Sequence, residues 1–397
     1  MAGAFTTLSD AMKRELEEAA KGGIAKLKDF IKNKNSEWKK IPLNIGITGQ
    51  AGVGKSSFIN TIRGITAEDE GGAHVDVVEA TIEIKPYKHP INENMIFWDL
   101  PGVGSPKFPR DKYLDLVNFE RFDFFIIMSA SRFRDDDLWL AVEIRKLNKN
   151  FHFIRTQIGL EIEKDKQSHP KTHEKSKVIE KIRRDCLENL AKVKLKEASV
   201  FLIDNYAPLD FEFNDLASTL IDEAPERKKE AMTLSMSLLT HDVLKKKIEA
   251  LSNRILKVSI VSAIGGAIPI PVVGALIDGA LMLEEVIFYK QQLGLDAKTM
   301  EDNARLLKTD ARELEKKLCL RSLTIAGTAK GLVQGASCAI ADEAIESALP
   351  IAIPVIGSFV SAGVSYGVTV SALKYYLKLC SEDTFKINEE LMRNALN

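Results

Sequence analysis

Cysteine is scarce in this sequence. The four present, Cys186, Cys319, Cys338 and Cys380, lie far apart, with no C-x-x-C and no histidine at metal spacing. That leaves no basis for a disulfide framework or a zinc site, and it fits a reducing compartment. Charge of one sign is missing as well, since 55 basic residues face 56 acidic ones. There is no global footprint for nucleic acid or for a strongly anionic membrane, so partners must be sought locally. The amino terminus, MAGAFTTLSDAMKRELEE, has neither the basic start and apolar middle of a signal peptide nor a glycine directly after Met1 for myristoylation. The expectation is a chain made and kept inside the cell. At 397 residues it is long enough for two or three domains.

Residues 9–40 show helical spacing of Ala11, Leu16, Ala19, Ile24, Leu27, Phe30 and Ile31, with Ser9 or Asp10 placed to cap the helix. The pattern changes at residue 41. Six short apolar runs follow: IPLNIGIT (41–48), TIEIKPY (81–87), NMIFWDL (94–100), FDFFIIMSA (122–130), FHFIRT (151–156) and SVFLIDN (199–205). Stretches of helix length with polar faces separate several of them. This predicts an α/β domain over 41–225, a mainly parallel sheet with helices on both faces. From 226 to 397 strand signals give way to helical periodicity. Two runs there, 258–277 and 347–373, carry no charge and share a Pro-x-x-Gly core, Pro271 to Gly274 and Pro354 to Gly357. Each is long enough to span a bilayer. Small residues dominate both and prolines interrupt both, which favours buried helical hairpins; reversible membrane contact stays open.

The strongest motif is GQAGVGKSS, which places Gly49, Gln50, Ala51, Gly52, Val53, Gly54, Lys55, Ser56 and Ser57 between a predicted strand and an apolar helix. It matches G-x-x-x-x-G-K-[ST] in the context where that pattern cradles phosphates. Glycines let successive N–H groups turn toward the ligand, and the helix amino end adds a favourable dipole. Lys55 is expected to reach the β- and γ-phosphates and the Ser56 hydroxyl to bind Mg²⁺. In MIFWDLPGVG a strand delivers Asp99 to its carboxyl end as a second Mg²⁺ contact, and Asp-x-x-Gly puts the Gly102 backbone at the γ-phosphate. A turn at Pro101-Gly102 would account for that pattern equally well in isolation.

Position 103, where a small GTPase keeps its water-orienting glutamine, is Val103, so hydrolysis needs another device. Between the two motifs the polar candidates are His74, Glu79 and Thr81. Thr81 would close on the γ-phosphate and Mg²⁺ as a switch, and Glu79 would polarise water or contact a second nucleotide across a dimer. Either is equally readable as an outward-facing strand residue.

GQAGVGKSSFIN, VVEAT, KPYKHP, FWDLPGVG, FPRDKYL, FDFFIIMSASRF and FYKQQLGLD together resemble the immunity-related, interferon-inducible GTPases, over nearly the whole chain. The resemblance implies a Ras-like P-loop GTPase domain joined to an all-α domain built from both chain ends. It implies GTP or GDP as ligand with Mg²⁺, GTP-dependent self-association, hydrolysis enhanced in the dimer, and related GTPases as partners. It also implies peripheral action on intracellular membranes from the cytoplasm, including vacuoles around invading microbes. Lys55 puts the chain with the Gly-Lys-Ser branch rather than the Gly-Met-Ser regulators.

Two stretches depart from the family. Where relatives usually show Thr-Lys-x-Asp, this chain has Thr156-Gln157-Ile158-Gly159, and Val75-Asp76 stands where Thr-Gly is commoner. A carboxylate accepts guanine's paired N1–H and amino donors, and losing it costs on the order of 2–3 kcal/mol, about 30- to 150-fold in affinity. Gln157 can lie against the base, and Asn205 in SVFLIDN matches the loop supporting it from the other side. Three explanations compete: Glu161 or Glu163 replaces the missing carboxylate, several purine nucleotides bind with weak discrimination, or turnover is lost and the protein serves as a scaffold.

Overall fold

The computed structural model describes residues 14, 15, 18, 19, 21, 22, 24–75, 83–105, 107–195, 198–208, 210–237, 240–266, 271–325 and 362–395. The chain forms two compact units, one of residues 38–238 and one from the segments up to 37 and from 239 onward.

The first unit is built on a six-stranded sheet: β1 (Leu43–Gly49), β2 (Lys85–His89), β3 (Asn92–Asp99), β4 (Phe124–Ser129), β5 (Asn150–Arg155) and β6 (Val200–Leu202). The order is β2-β3-β1-β4-β5-β6, and all neighbours run parallel except the β2–β3 hairpin. Each predicted apolar run supplies one strand. The second begins later than its composition suggests, at Lys85 instead of Thr81. Among the described residues β2 pairs only with β3, and Lys85 already stands opposite Asp99, the last residue of β3. As an edge strand, β2 also tolerates Pro86, which has no N–H to donate.

Helices cover both faces: α2 (Lys55–Arg63), α3 (Asp135–Lys146), α4 (Ile158–Ser168), α5 (Lys175–Lys192), α6 (Phe213–Asp222) and α7 (Glu226–Ser235). The alternation of β4 shows why. Phe125 and Ile127 join a core with Leu140 and Ile144 of α3, Ile158 and Ile162 of α4, and Cys186 and Leu190 of α5. Phe124 faces the other way and lies near the rings of His152, itself packed on Phe201, while Phe58 of α2 packs on Phe213 of α6. Such period-2 burial on both faces is the mark of a sheet sandwiched between helices. Helix α3 suits its own dipole, with Asp135, Asp136 and Asp137 in its first turn and Arg145 and Lys146 in its last.

Helix α7 follows residue 225 yet packs with the sheet. Lys228 Nζ pairs with Asp123 Oδ1 at 2.7 Å, Asn92 Nδ2 donates to Ser235 Oγ at 2.9 Å, and the other Asp123 oxygen accepts from Asn44 N–H at the start of β1.

The second unit is helical: α1 (Ile24–Asn35), α8 (His241–Gly266), α9 (Pro271–Gln292), α10 (Ala297–Leu306), α11 (Ala311–Leu318) and α12 (Ala362–Ala395). Asp296 and Asp310 cap α10 and α11 by accepting backbone N–H groups from the first turns. α8 packs against α1, α9 and α12. Both chain ends are stitched together by Arg254, whose Nε and Nη2 hold Glu285 of α9 at 2.6 and 3.2 Å while Nη1 donates to the Asn35 carbonyl at 2.5 Å.

The single helix expected over 9–40 instead ends at Asn35, followed by a separate turn at Glu37–Lys40; residues 1–13 lie outside the described residues. Ser36 explains the break, since its hydroxyl bonds back to the carbonyls of Lys32 and Asn33. The uncharged run 258–277 is divided between α8 and α9, which pack on each other, and Pro271 opens α9, where its missing N–H costs nothing. Most of the run 347–373, including Pro354 to Gly357, lies outside the described residues. Among the described residues no helix is long and apolar enough to cross a membrane.

Candidate functional site

Strand order reverses at β1, with β3 on one side and β4 on the other, so the carboxyl end of β1 opens into the crevice where doubly wound sheets bind ligands. Residues 49–57 occupy that position. β1 ends at Gly49, where any side chain would run into the Met128 carbonyl oxygen of β4. The loop turns through Gln50, Ala51, Gly52, Val53 and Gly54, and α2 starts at Lys55 after a left-handed Gly54. Lys55 is buried, its Nζ donating to the carbonyls of Gly49 (3.0 Å) and Gln50 (3.3 Å). Burial pushes its pKa below the ordinary lysine value, and the Asp99 charge opposes that shift. Ser56 Oγ donates to Asp99 Oδ2 at 3.2 Å, so the two expected metal contacts meet.

The residues expected beside the base support this loop. Thr156, fully buried, donates from Oγ1 to the Val53 carbonyl at 2.8 Å. Gln157, at φ 59°, caps the start of α4 and its Nε2 donates to the Gly52 carbonyl at 2.8 Å. Asn205 Nδ2 donates to the Gly54 carbonyl at 3.0 Å, and its own carbonyl accepts from Thr61 at 3.2 Å. Ser57 Oγ lies 3.3 Å from the hydroxyl of the largely exposed Tyr206.

Three features escaped the sequence. The Pro101 carbonyl, between Asp99 and Gly102, accepts from the Tyr113 hydroxyl at 2.8 Å and from Thr48 Oγ1 at 3.3 Å, and the two hydroxyls are 2.9 Å apart. This buried knot fixes the chain that carries Gly102, which itself lies against the Gly49 backbone. Burial drives the Tyr113 phenol well above its usual range. On the other side, Asn60 of α2 exchanges two bonds with Ala73, Nδ2 to its carbonyl at 2.8 Å and Oδ1 from its N–H at 2.7 Å. No spacing rule announces a tyrosine or asparagine used this way.

The third is Asp204, whose Oδ2 accepts from Gly159 N–H at 3.1 Å and whose Oδ1 accepts from Tyr206 N–H at 3.0 Å. A signal existed, since the run SVFLIDN sets an aspartate directly before Asn205. Glu161 and Glu163, expected as substitutes for the carboxylate absent at 159, are paired elsewhere, with Lys164 at 3.0 Å and Lys166 at 4.0 Å. α4 begins directly at Ile158, and Glu161 N–H bonds back to the Gln157 carbonyl within that first turn. Val103 is buried in the core with Leu100 and Tyr113 and has no polar role. Glu79 and Thr81 lie outside the described residues.

Comparison with known proteins gives one consistent result. The family model described as Interferon-inducible GTPase (IIGP) matches residues 9–352. The chain is 34% identical over 295 residues to Interferon-gamma-inducible GTPase 10 of Mus musculus, covering 74% of this chain and 70% of that protein. Interferon-inducible GTPase 1 of Mus musculus is 35% identical over 297 residues, 74% of this chain and 71% of that protein. Interferon-inducible GTPase 5 of Rattus norvegicus is 35% identical over 272 residues, 68% and 59% respectively.

Proposed function

The chain belongs to the interferon-inducible GTPase family, and on that premise we propose that it binds GTP and GDP with Mg²⁺ at Gly49–Ser57 and hydrolyses GTP in a self-associated state. The observation that carries this reading is the 3.2 Å contact of Ser56 Oγ with Asp99 Oδ2 beside a buried Lys55. Two hard oxygen donors from different elements suit Mg²⁺, which takes few protein ligands and completes its shell with phosphate and water. When bound, the ion neutralises charge on the β- and γ-phosphate oxygens.

In this reading the residues of the chain bind and orient. The N–H groups of Gly52 to Ser56 cradle phosphate, with Ser57 behind them, and Lys55 exchanges its carbonyl partners for phosphate oxygens. The Gly102 N–H meets the γ-phosphate from a loop held by Tyr113. Thr156 sets the height of the loop, while Gln157 and Asn205 flank the base. Thr81 closes on the γ-phosphate and Mg²⁺, and Glu79 polarises the attacking water or reaches a second nucleotide across the dimer. Because Val103 is a core residue, water positioning falls to such a group or to a partner, which favours hydrolysis coupled to assembly. The partners are a second copy of the chain or related GTPases. The working place is the cytoplasm, with peripheral contact to intracellular membranes in cell-autonomous defence.

Phosphate release measured against protein concentration tests the reading. Specific activity should rise as concentration rises and vanish in Lys55→Ala; an activity per molecule that stays flat would remove the assembly step. A second reading is supported by Val103 and by the exposed Val75: a catalytically weak regulator or scaffold of related GTPases. It gains if nucleotide promotes partner binding with no phosphate released.

A further inference from the structure

Guanine presents two adjacent donors, N1–H and the exocyclic amino group, and asks for two adjacent acceptors. At position 159 this chain offers only hydrogen. The space beside Gly159 is nonetheless filled by a carboxylate. Asp204 Oδ2 accepts from Gly159 N–H at 3.1 Å, although the two residues are 45 apart in sequence. A Cβ added to Gly159 would stand 2.8 Å from that same oxygen and 3.7 Å from the carboxyl carbon. The glycine and the aspartate are therefore complementary: the carboxylate lies where a side chain at 159 would enter.

Its orientation is fixed at both ends. Oδ2 is held by Gly159 N–H and Oδ1 by Tyr206 N–H at 3.0 Å, so the plane of the group is set by two backbone donors, one in the first turn of α4 and one in the loop after β6. A carboxylate has about four lone-pair sites, and two donors leave one acceptor site free on each oxygen. Asp204 is only partly buried, and its neighbour Asn205 bonds the Gly54 carbonyl of the phosphate loop. Gln157, two residues before Gly159, bonds the Gly52 carbonyl of that same loop.

Resting on the reading of Gly49–Ser57 as a guanine nucleotide site, we propose that Asp204 is the specificity-determining residue. Its two oxygens accept guanine N1–H and the amino group, from the loop after β6 rather than from the start of α4. Adenine presents an acceptor at N1 and is rejected by the carboxylate. Xanthine keeps N1–H but replaces the amino group with an oxygen, so it suits an amide, which offers one acceptor and one donor.

The test is equilibrium titration of the full chain in Mg²⁺ with fluorescent GTP, XTP and ATP analogues. Wild type should select GTP. Asp204→Asn, which retains an acceptor for only one of the two backbone N–H groups, should lose about 30- to 150-fold in GTP affinity and prefer XTP. A second variant guards against misfolding of the first: Gly159→Asp combined with Asp204→Ser moves the carboxylate to the other loop and should restore GTP selection. Unchanged GTP preference in Asp204→Asn overturns the proposal, as does equal binding of all three nucleotides by wild type. In both cases the phosphate site survives. Wild type that binds none of them overturns the site reading and, with it, this assignment.

Discussion

Gly159→Asp alone supplies the aspartate that the family resemblance leads one to expect, yet the fold of this chain predicts that it is harmful. The new Cβ would sit 2.8 Å from Asp204 Oδ2, closer than side-chain atoms tolerate, so the Asp204 carboxylate must leave the Gly159 N–H. A hydrogen bond to a charged acceptor contributes roughly 1.5–3 kcal/mol. Two carboxylates about 4 Å apart repel by about 4 kcal/mol at an effective dielectric of 20, and partial exposure of Asp204 reduces that severalfold. The expected loss is about 2–4 kcal/mol. Tryptophan fluorescence during urea unfolding reads it cleanly, because Trp38, Trp98 and Trp139 all belong to the unit of residues 38–238. With a slope of about 2 kcal/mol per molar urea, the midpoint should fall by about 1–2 M. Asp204→Ser added to the same chain should recover most of the loss, since it removes both the contact and the second charge. A Gly159→Asp chain within about 0.5 kcal/mol of wild type would refute the reasoning, as would a double variant no more stable than the single one.

Two further outcomes follow from buried charge. Arg254 and Glu285 are both nearly inaccessible, with side-chain exposures of 8% and 5%, and Arg254 also holds Asn35. Glu285→Gln strands a buried guanidinium and should cost about 3–5 kcal/mol in the helical unit by far-UV circular dichroism, whereas Arg254→Met with Glu285→Met should recover most of it; a cost below about 1 kcal/mol would sink the idea. His152 lies between Phe124 and Phe201, and burial pushes its pKa down to about 4 from the usual 6.5. The unfolded chain therefore takes up the proton first, and stability is lost as pH falls from 6.5 through 4, on the order of 2–3 kcal/mol. His152→Gln should flatten the dependence of the urea midpoint on pH over that interval.

Most of the sheet was legible because its strands are short apolar runs bounded by polar helices, and the strand–loop–helix turn at 49–57 because glycine spacing before Lys55 points to it. What stayed hidden depends on contact between distant segments. Lys85 opposite Asp99 trims β2, and Ser36 ends α1 through a side-chain bond that propensity does not foresee. Asp204 could be read only as a residue next to Asn205; that it meets Gly159 is a fact of β5 and β6 lying side by side in parallel. From the sequence alone the missing aspartate leaves a replacement at Glu161 or Glu163, weak discrimination among purines and lost turnover all open. The fold brings the Asp204 carboxylate to Gly159 from the neighbouring strand.

The five parallel strands carry one further consequence. All deliver their carboxyl ends to a single rim, where Lys55, Ser56, Asp99 and Asp204 gather. The opposite rim has its own polar equipment, with Asp123 shared by Lys228 and Asn44 and with Glu223 beside His152. The domain thus has two separately editable ends. Substitutions at the far rim can therefore retune acid tolerance or rigidity without touching the residues gathered at the first.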